Sequence, residues 1–187
     1  GELFTDNAAW WKGSLWFGVG KEINNLAIAR DVGGHELTHA VVEHSSNLFY
    51  ADESGALNES FADIFGTMIE RENWFIGEKL FNDGDFVRSL KIPQVKGQPA
   101  HMKDFWYTTS DHGGVHTNSG IPNRAYYLLA EGLSAEGVGD SVGIVKAEKI
   151  AYETMIGLTP LSDFYDAALL MQEKANELYG EAEKSAV

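Results

Sequence analysis

His35-Glu36-Leu37-Thr38-His39 is the stretch from which the rest of the chain can be read. It lies within Ala29 to Ser45, where apolar and polar residues follow a helical period. A spacing of four is just over one turn, so both imidazoles leave one helix face and reach a single metal ion. Glu36 sits beside them, placed to handle a water on that metal.

One helix presents only two such ligands comfortably, whereas a catalytic zinc takes three protein ligands and keeps a fourth position open. A metzincin would need Gly at 42 and His at 45, and the chain has Val42 and Ser45. Glu59 is the better third ligand. It stands 20 residues after His39, in Gly55-Ala56-Leu57-Asn58-Glu59-Ser60-Phe61-Ala62-Asp63, on a second predicted helix running from Ala56 to Arg71. The alternative for Glu59 is an exposed helix carboxylate. Asn58 and Asp63 suit the outer nitrogens of the two imidazoles.

The 187 residues are 44% hydrophobic and 22% charged, which fits one compact unit and disfavours disorder. A net charge of -14 repels a phosphate backbone and an anionic membrane, so neither nucleic acid nor membrane is expected as a partner. The acidity supplies carboxylates for a hard cation such as calcium or, equally, a solvated surface. With no cysteine, disulfides and thiolate sites are excluded, and any metal must use His, Asp or Glu. No run approaches the roughly 20 apolar residues that span a bilayer. The start, Gly1-Glu2-Leu3-Phe4, lacks Met and a signal-peptide pattern and reads as a processing boundary.

Residues 1–29, rich in aromatics and Gly, suit a short hairpin or edge strand. Asp52-Glu53-Ser54-Gly55 reads as a turn between the two helices. Residues 73–115 read as mostly irregular. Three helices follow, near Ser119–Glu131, Val142–Ile156 and Leu161–Leu178, the last opened by Thr159-Pro160 and closed by Gly180. The fold expected is mainly α, a single unit over 1–187 with a short β segment (1–29) ahead of a helical lobe (30–187).

At Asp31 to Ala40, Tyr50 to Gly66 and Gly113 to Gly120 the chain resembles the catalytic half of the thermolysin family of zinc metallopeptidases, the helical lobe of the zincin fold. That family is itself a reference case for His2Glu zinc, so the ligand set and the resemblance are not independent. The resemblance implies zinc on His35, His39 and Glu59, with Glu36 as general base. It implies His116 and Tyr50 as donors to the oxyanion, and Asp111 as the partner that orients and charges His116. Arg88 corresponds to the arginine that holds a substrate carbonyl beyond the cut. Ile23, Leu26, Val32, Ile76 and Val87 surround the pocket for the residue after the scissile bond, which predicts cleavage before Leu, Ile, Val or Phe. Ala8, Ala9 and Trp10 belong to the substrate-binding edge strand, with Ala8 at the usual place of a side-chain amide unless Asn7 shifts register. Asp31, Glu70, Asn73, Phe75 (through its carbonyl) and Glu78 match one structural calcium site. His112 replaces a common Asn and receives no role. An extracellular location follows from the family alone.

The family carries a sheet-rich lobe before the zinc helix, and here about thirty residues precede it. Three readings follow: a short zinc endopeptidase acting on peptides or proteins, a zinc- and peptide-binding lobe that needs a missing N-terminal lobe for turnover, and a structural zinc domain. The last lacks a fourth ligand, since His44 falls on another helix face and Glu43 competes with solvent. Trp10, Trp11 and Trp16 either patch the core or mark an interface for self-association.

Overall fold

The computed structural model describes residues 5–132 and 141–180, so Gly1-Glu2-Leu3-Phe4 lies outside the described residues. A hairpin opens the chain. Strands β1 (Ala8–Trp11) and β2 (Ser14–Phe17) pair antiparallel with Ala8 opposite Phe17 and Trp11 opposite Ser14. The two residues between them, Lys12 and Gly13, both have positive φ (51° and 74°), the backbone that a tight hairpin demands.

Helices α1 (Arg30–Glu43) and α2 (Asp52–Glu70) form the centre. They cross on glycine. A methyl on Gly66 would lie 2.6 Å from the Asp31 carbonyl oxygen, and one on Gly34 would lie 3.1 Å from Gly66 Cα. The bare contact lets the two backbones approach, which brings His35 against the α2 face carrying Glu59 and Asp63. Helix α2 is buried nearly all round, with Leu57, Phe61, Ile64 and Met68 in the core. A two-residue ladder follows, β3 (Phe75–Ile76) with β4 (Arg88–Ser89), in which Ile76 faces Arg88. Helices α3 (Asp111–Asn118), α4 (Gly120–Glu131), α5 (Ile144–Gly157) and α6 (Phe164–Tyr179) complete the lobe. Tyr126, Leu129, Ile150 and Met155 close the core against α2. The mainly helical fold with a short N-terminal hairpin is as the sequence led us to expect.

Three boundaries differ from the sequence reading. Asp52-Glu53-Ser54-Gly55 is the first turn of α2, not a turn before it. Ser54 Oγ donates to the carbonyls of Phe49 and Ala51, Glu53 accepts from the backbone of Phe164, and Gly55 is small because Val115 Cγ1 would stand 2.5 Å from a Cβ there. Residues 111–114, assigned to the irregular segment, open α3 through consecutive positive φ values of 51°, 51°, 90° and 79°. Helix α6 begins at Phe164, because Asp163 and Asp166 form a reciprocal capping box there, and ends at Gly180 as expected.

Candidate metal centre and active-site cleft

The two imidazoles on α1 are aimed from behind. His35 Nδ1 meets Asp63 Oδ1 at 2.9 Å and His39 Nδ1 meets Asn58 Oδ1 at 2.8 Å, so both carry their proton on Nδ1 and present bare Nε2 lone pairs. Those Nε2 atoms lie 3.0 Å apart. Glu59 Oε2 is 3.5 Å from His35 Nε2, and Oε1 is 3.4 Å from His39 Nε2. Ligands about 2.0–2.1 Å from a tetrahedral zinc stand roughly 3.3 Å from one another. The three side chains therefore fit zinc closely. Two facing lone pairs and a buried Glu59 Oε2 with no hydrogen-bond partner need a cation between them.

Burial opposes ionisation of Glu59, but the charges of His35, His39, His116 and Arg88 prevail and its pKa is lowered. His39 is held below its ordinary value by burial and by His35. Those two shifts favour the states that ligate a metal, carboxylate and neutral ring, whereas His35 is raised because Asp63 and Glu59 outweigh its burial, so an ion arriving there displaces a proton.

Glu36 is 7% exposed on the same helix face, and one of its oxygens, Oε2, accepts from the Trp10 backbone N–H at 2.8 Å. Across the site, Tyr50 Oη and His116 Nε2 lie 3.3 Å apart, and the Tyr50 hydroxyl donates to Glu59 Oε1. Burial and the negative charge of Glu59 push the Tyr50 pKa well above its usual value, so it remains a proton donor. Asp111 receives His116 Nδ1 at 2.8 Å and the His116 backbone N–H at 2.9 Å. The left-handed run at 111–114 brings Asp111 back onto the residue five positions later.

Ala8, Ala9, Trp10, Ile23, Leu26, Val32, Ile76, Val87 and Arg88 all line one cleft of about 590 Å³, together with the metal-facing side chains, Tyr50 and His116. Arg88 enters it with Nε and Nη2 already engaged by Asp63. Asn7 also lines the cleft, and the β1 pairing sets it one place ahead of the buried Ala8, so an amide is present after all.

At the far end of the α1–α2 contact, carboxylate oxygens of Asp31, Glu70 and Glu78 come within 4.8 Å of one another. Burial and the charges of Asp31, Glu78 and Glu72 push the Glu70 carboxyl up to about 7. Burial raises Asp31 as well, although the backbone N–H groups of Gly77 and Val32 donate to it. Glu78 Oε2 is buried without a partner. Three mutually repelling carboxylates with an orphaned oxygen suit a hard cation. Asn73, expected beside them, packs against the same group. Its Oδ1 accepts from the Phe75 N–H and its Nδ2 donates to Glu78 Oε1 at 2.6 Å, which ties it to the Glu78 carboxylate. Phe75 sits in β3 with its ring stacked on Phe86.

The sequence reading missed Asn123, wholly buried on α4, which donates to Asp63 Oδ2 at 2.9 Å and accepts from Ser60. Its only signal is a polar residue on an otherwise apolar helix face. Leu80, Glu43 and Asn47 were also missed as cleft residues.

This pairing of an HExxH helix with a second helix that supplies Glu and the supporting acid defines a metallohydrolase-type centre. Residues 46–187 match the family profile described as thermolysin metallopeptidase, alpha-helical domain, and residues 3–43 match thermolysin metallopeptidase, catalytic domain. The chain belongs to the thermolysin family of metallopeptidases. It is 43% identical over 182 residues to an extracellular elastase of Staphylococcus epidermidis, covering 94% of this chain and 34% of that protein. A thermolysin of Alicyclobacillus acidocaldarius is 41% identical over 187 residues, covering 93% and 34%. Among solved structures, the precursor of protealysin, a metalloproteinase from Serratia proteamaculans, superposes with a TM-score of 0.83 at 34% identity, covering 97% of this chain and 62% of that one. The chain spans about one third of the length of its curated relatives.

Proposed function

We propose that residues 1–187 act as one catalytic unit, a zinc-dependent endopeptidase that cuts peptides or proteins before a large apolar residue. The observation that carries this reading is the buried, unpartnered Glu59 Oε2 facing two bare imidazole nitrogens, with Glu36 and an open cleft beside them. Zinc bound to His35, His39 and Glu59 supplies a Lewis acid that polarises a carbonyl and makes water nucleophilic at neutral pH. The chain does the rest. Glu36, fixed through Oε2 by the Trp10 N–H, removes a proton from the attacking water and passes it to the leaving amine. Tyr50 and the Nε2–H of His116 donate to the oxygen on which charge develops, and Asp111, accepting from Nδ1, orients His116 and charges it. Arg88, anchored by Asp63, faces a substrate carbonyl beyond the cut, and Ile23, Leu26, Val32, Ile76 and Val87 receive the apolar side chain. Asp31, Glu70 and Glu78, with Asn73 and the Phe75 carbonyl beside them, would hold one calcium ion that ties α1 to α2 and the 73–78 segment. The extracellular elastase among its relatives supports secretion to the cell exterior.

A second reading, a zinc- and peptide-binding lobe without turnover of its own, is favoured by the two-stranded hairpin. Trp11 and Trp16 stay 48% and 47% exposed there, on a face that a further lobe or a second copy would cover. One experiment separates the two: zinc content and cleavage of an internally quenched peptide with a Gly-Leu or Gly-Phe junction, with Glu36→Gln beside the parent. One zinc per chain with cleavage that Glu36→Gln abolishes supports the peptidase. Zinc without cleavage selects the binding lobe.

A further inference from the structure

The cleft has two unlike ends. Val32, near the start of α1, lines the cleft with Leu26 and Ile76, while Glu43, in the last turn of α1, and Asn47 beyond it also line it. Glu43 lies four residues after His39, about 6 Å further along the axis at ~1.5 Å per residue. Its carboxylate accepts from the Trp10 indole N–H, and the Trp10 ring stands edge-on to His44 with centroids 6.5 Å apart. That indole is a neutral donor, so the full negative charge remains. Among the described residues Glu43 has no cationic partner.

The other charges of the cleft have different surroundings. Asp6 accepts from the backbone N–H groups of Lys21 and Glu22, Asp63 neutralises Arg88, and Glu36 and Glu59 belong to the metal centre.

The edge strand sets the direction of a bound peptide. Gly18 N–H donates to the Asn7 carbonyl, so residues 7, 9 and 11 bond across the hairpin and Ala8 and Trp10 turn their backbone groups toward the cleft. The Trp10 N–H on Glu36 shows this directly. With the residue after the cut in the apolar end, the residues before it extend over the last turn of α1. Side chains two apart in an extended chain share a face and stand about 6.7 Å apart. The second residue before the scissile bond therefore points to the same side as the one after it, and a long side chain there extends toward Glu43.

We propose that Glu43 is a specificity-determining residue that selects Lys or Arg at the second position before the scissile bond. This rests on the peptidase reading above. The cation is a side chain rather than a peptide's terminal ammonium, and N-acetylated substrates tell the two apart.

The test is a set of N-acetylated quenched peptides identical except for Lys, Ala or Glu at that position, with Leu after the cut, assayed on the parent, Glu43→Gln and Glu43→Lys. Because the pair is partly solvated, the expected gain in kcat/KM for Lys over Ala is about two- to fivefold, shrinking with salt. Glu43→Gln, which keeps an acceptor for the Trp10 indole, should erase it, and Glu43→Lys should favour the Glu peptide. If the parent cuts all three equally, the subsite is overturned while the peptidase reading stands. If the Lys preference survives in Glu43→Gln, it belongs to the overall charge of the protein and the subsite is again overturned. Failure of the parent to cut any of the three overturns both.

Discussion

Arg88 grips Asp63 with two nitrogens: Nη2 lies 2.7 Å from Oδ1 and Nε 2.8 Å from Oδ2. Asp63 is fully buried, and burial alone would raise its pKa, yet Arg88 and His35 hold it far below the usual carboxylate range. A depressed folded value means the stabilisation is present above the unfolded pKa of about 3.9 and is lost as pH falls below it. Arg88→Met should therefore cost up to about 3–5 kcal/mol at pH 7, because the buried carboxylate loses its guanidinium and keeps only His35 and Asn123, and should move acid unfolding to higher pH. Urea unfolding of the metal-free protein across pH 3–7 measures both, and an unchanged acid limb would refute the pairing.

Tyr50 and His116 converge on one point from different elements, the loop before α2 and helix α3. Tyr50→Phe and His116→Ala should each lower kcat by about 10²–10³-fold, the scale of a lost oxyanion donor. Zinc content should stay at the parent level in both. A variant that loses zinc with its activity would show that the residue supports the metal instead.

At the acidic cluster the sign runs the other way. Glu70 has a folded pKa raised to about 7, so its contribution is favourable below the unfolded value near 4.5 and is lost as pH rises through 7. Calcium should relieve this repulsion. The rise in Tm on adding calcium to the chelated protein should be larger at pH 8 than at pH 5.5, and Glu70→Gln should remove most of the difference. Equal shifts at both pH values would count against a calcium site here.

The helix crossing gives a steric prediction. Gly66→Ala places a methyl 2.6 Å from the Asp31 carbonyl oxygen, backbone that cannot swing aside. Overpacking of this kind costs about 1–3 kcal/mol and should push His35 away from Glu59. Differential scanning calorimetry and zinc affinity should fall together. Gly33→Ala on α1, where a Cβ meets nothing within 4 Å, should leave zinc affinity unchanged.

The apolar period of 56–71 is enough to find α2, whereas α1 buries Asp31, His35, Glu36 and Thr38 and is located by the ligand spacing of His35 and His39. Spacing placed Glu59, Asp63 and Asn58 on one helix, and the structure gathers them around the two imidazoles. What escaped was set by tertiary contact. Gly55 looks like a turn residue in the sequence, but it is a helical residue made small by Val115. Asn123 is invisible until α4 is laid against α2, since its partners Ser60 and Asp63 lie about sixty residues away.

The three metal-facing residues all come from α1 and α2, within a stretch of 25 residues from His35 to Glu59, whereas His116 arrives from much further along the chain. Local contacts close faster than distant ones because less chain entropy is lost in forming them. Capture of the ion should then precede assembly of the catalytic donors during refolding, with the ion acting as a template on which the later helices condense. Stopped-flow refolding with a zinc dye should show the dye losing its metal before turnover returns. Simultaneous recovery would mean that the helix pair has no independent life.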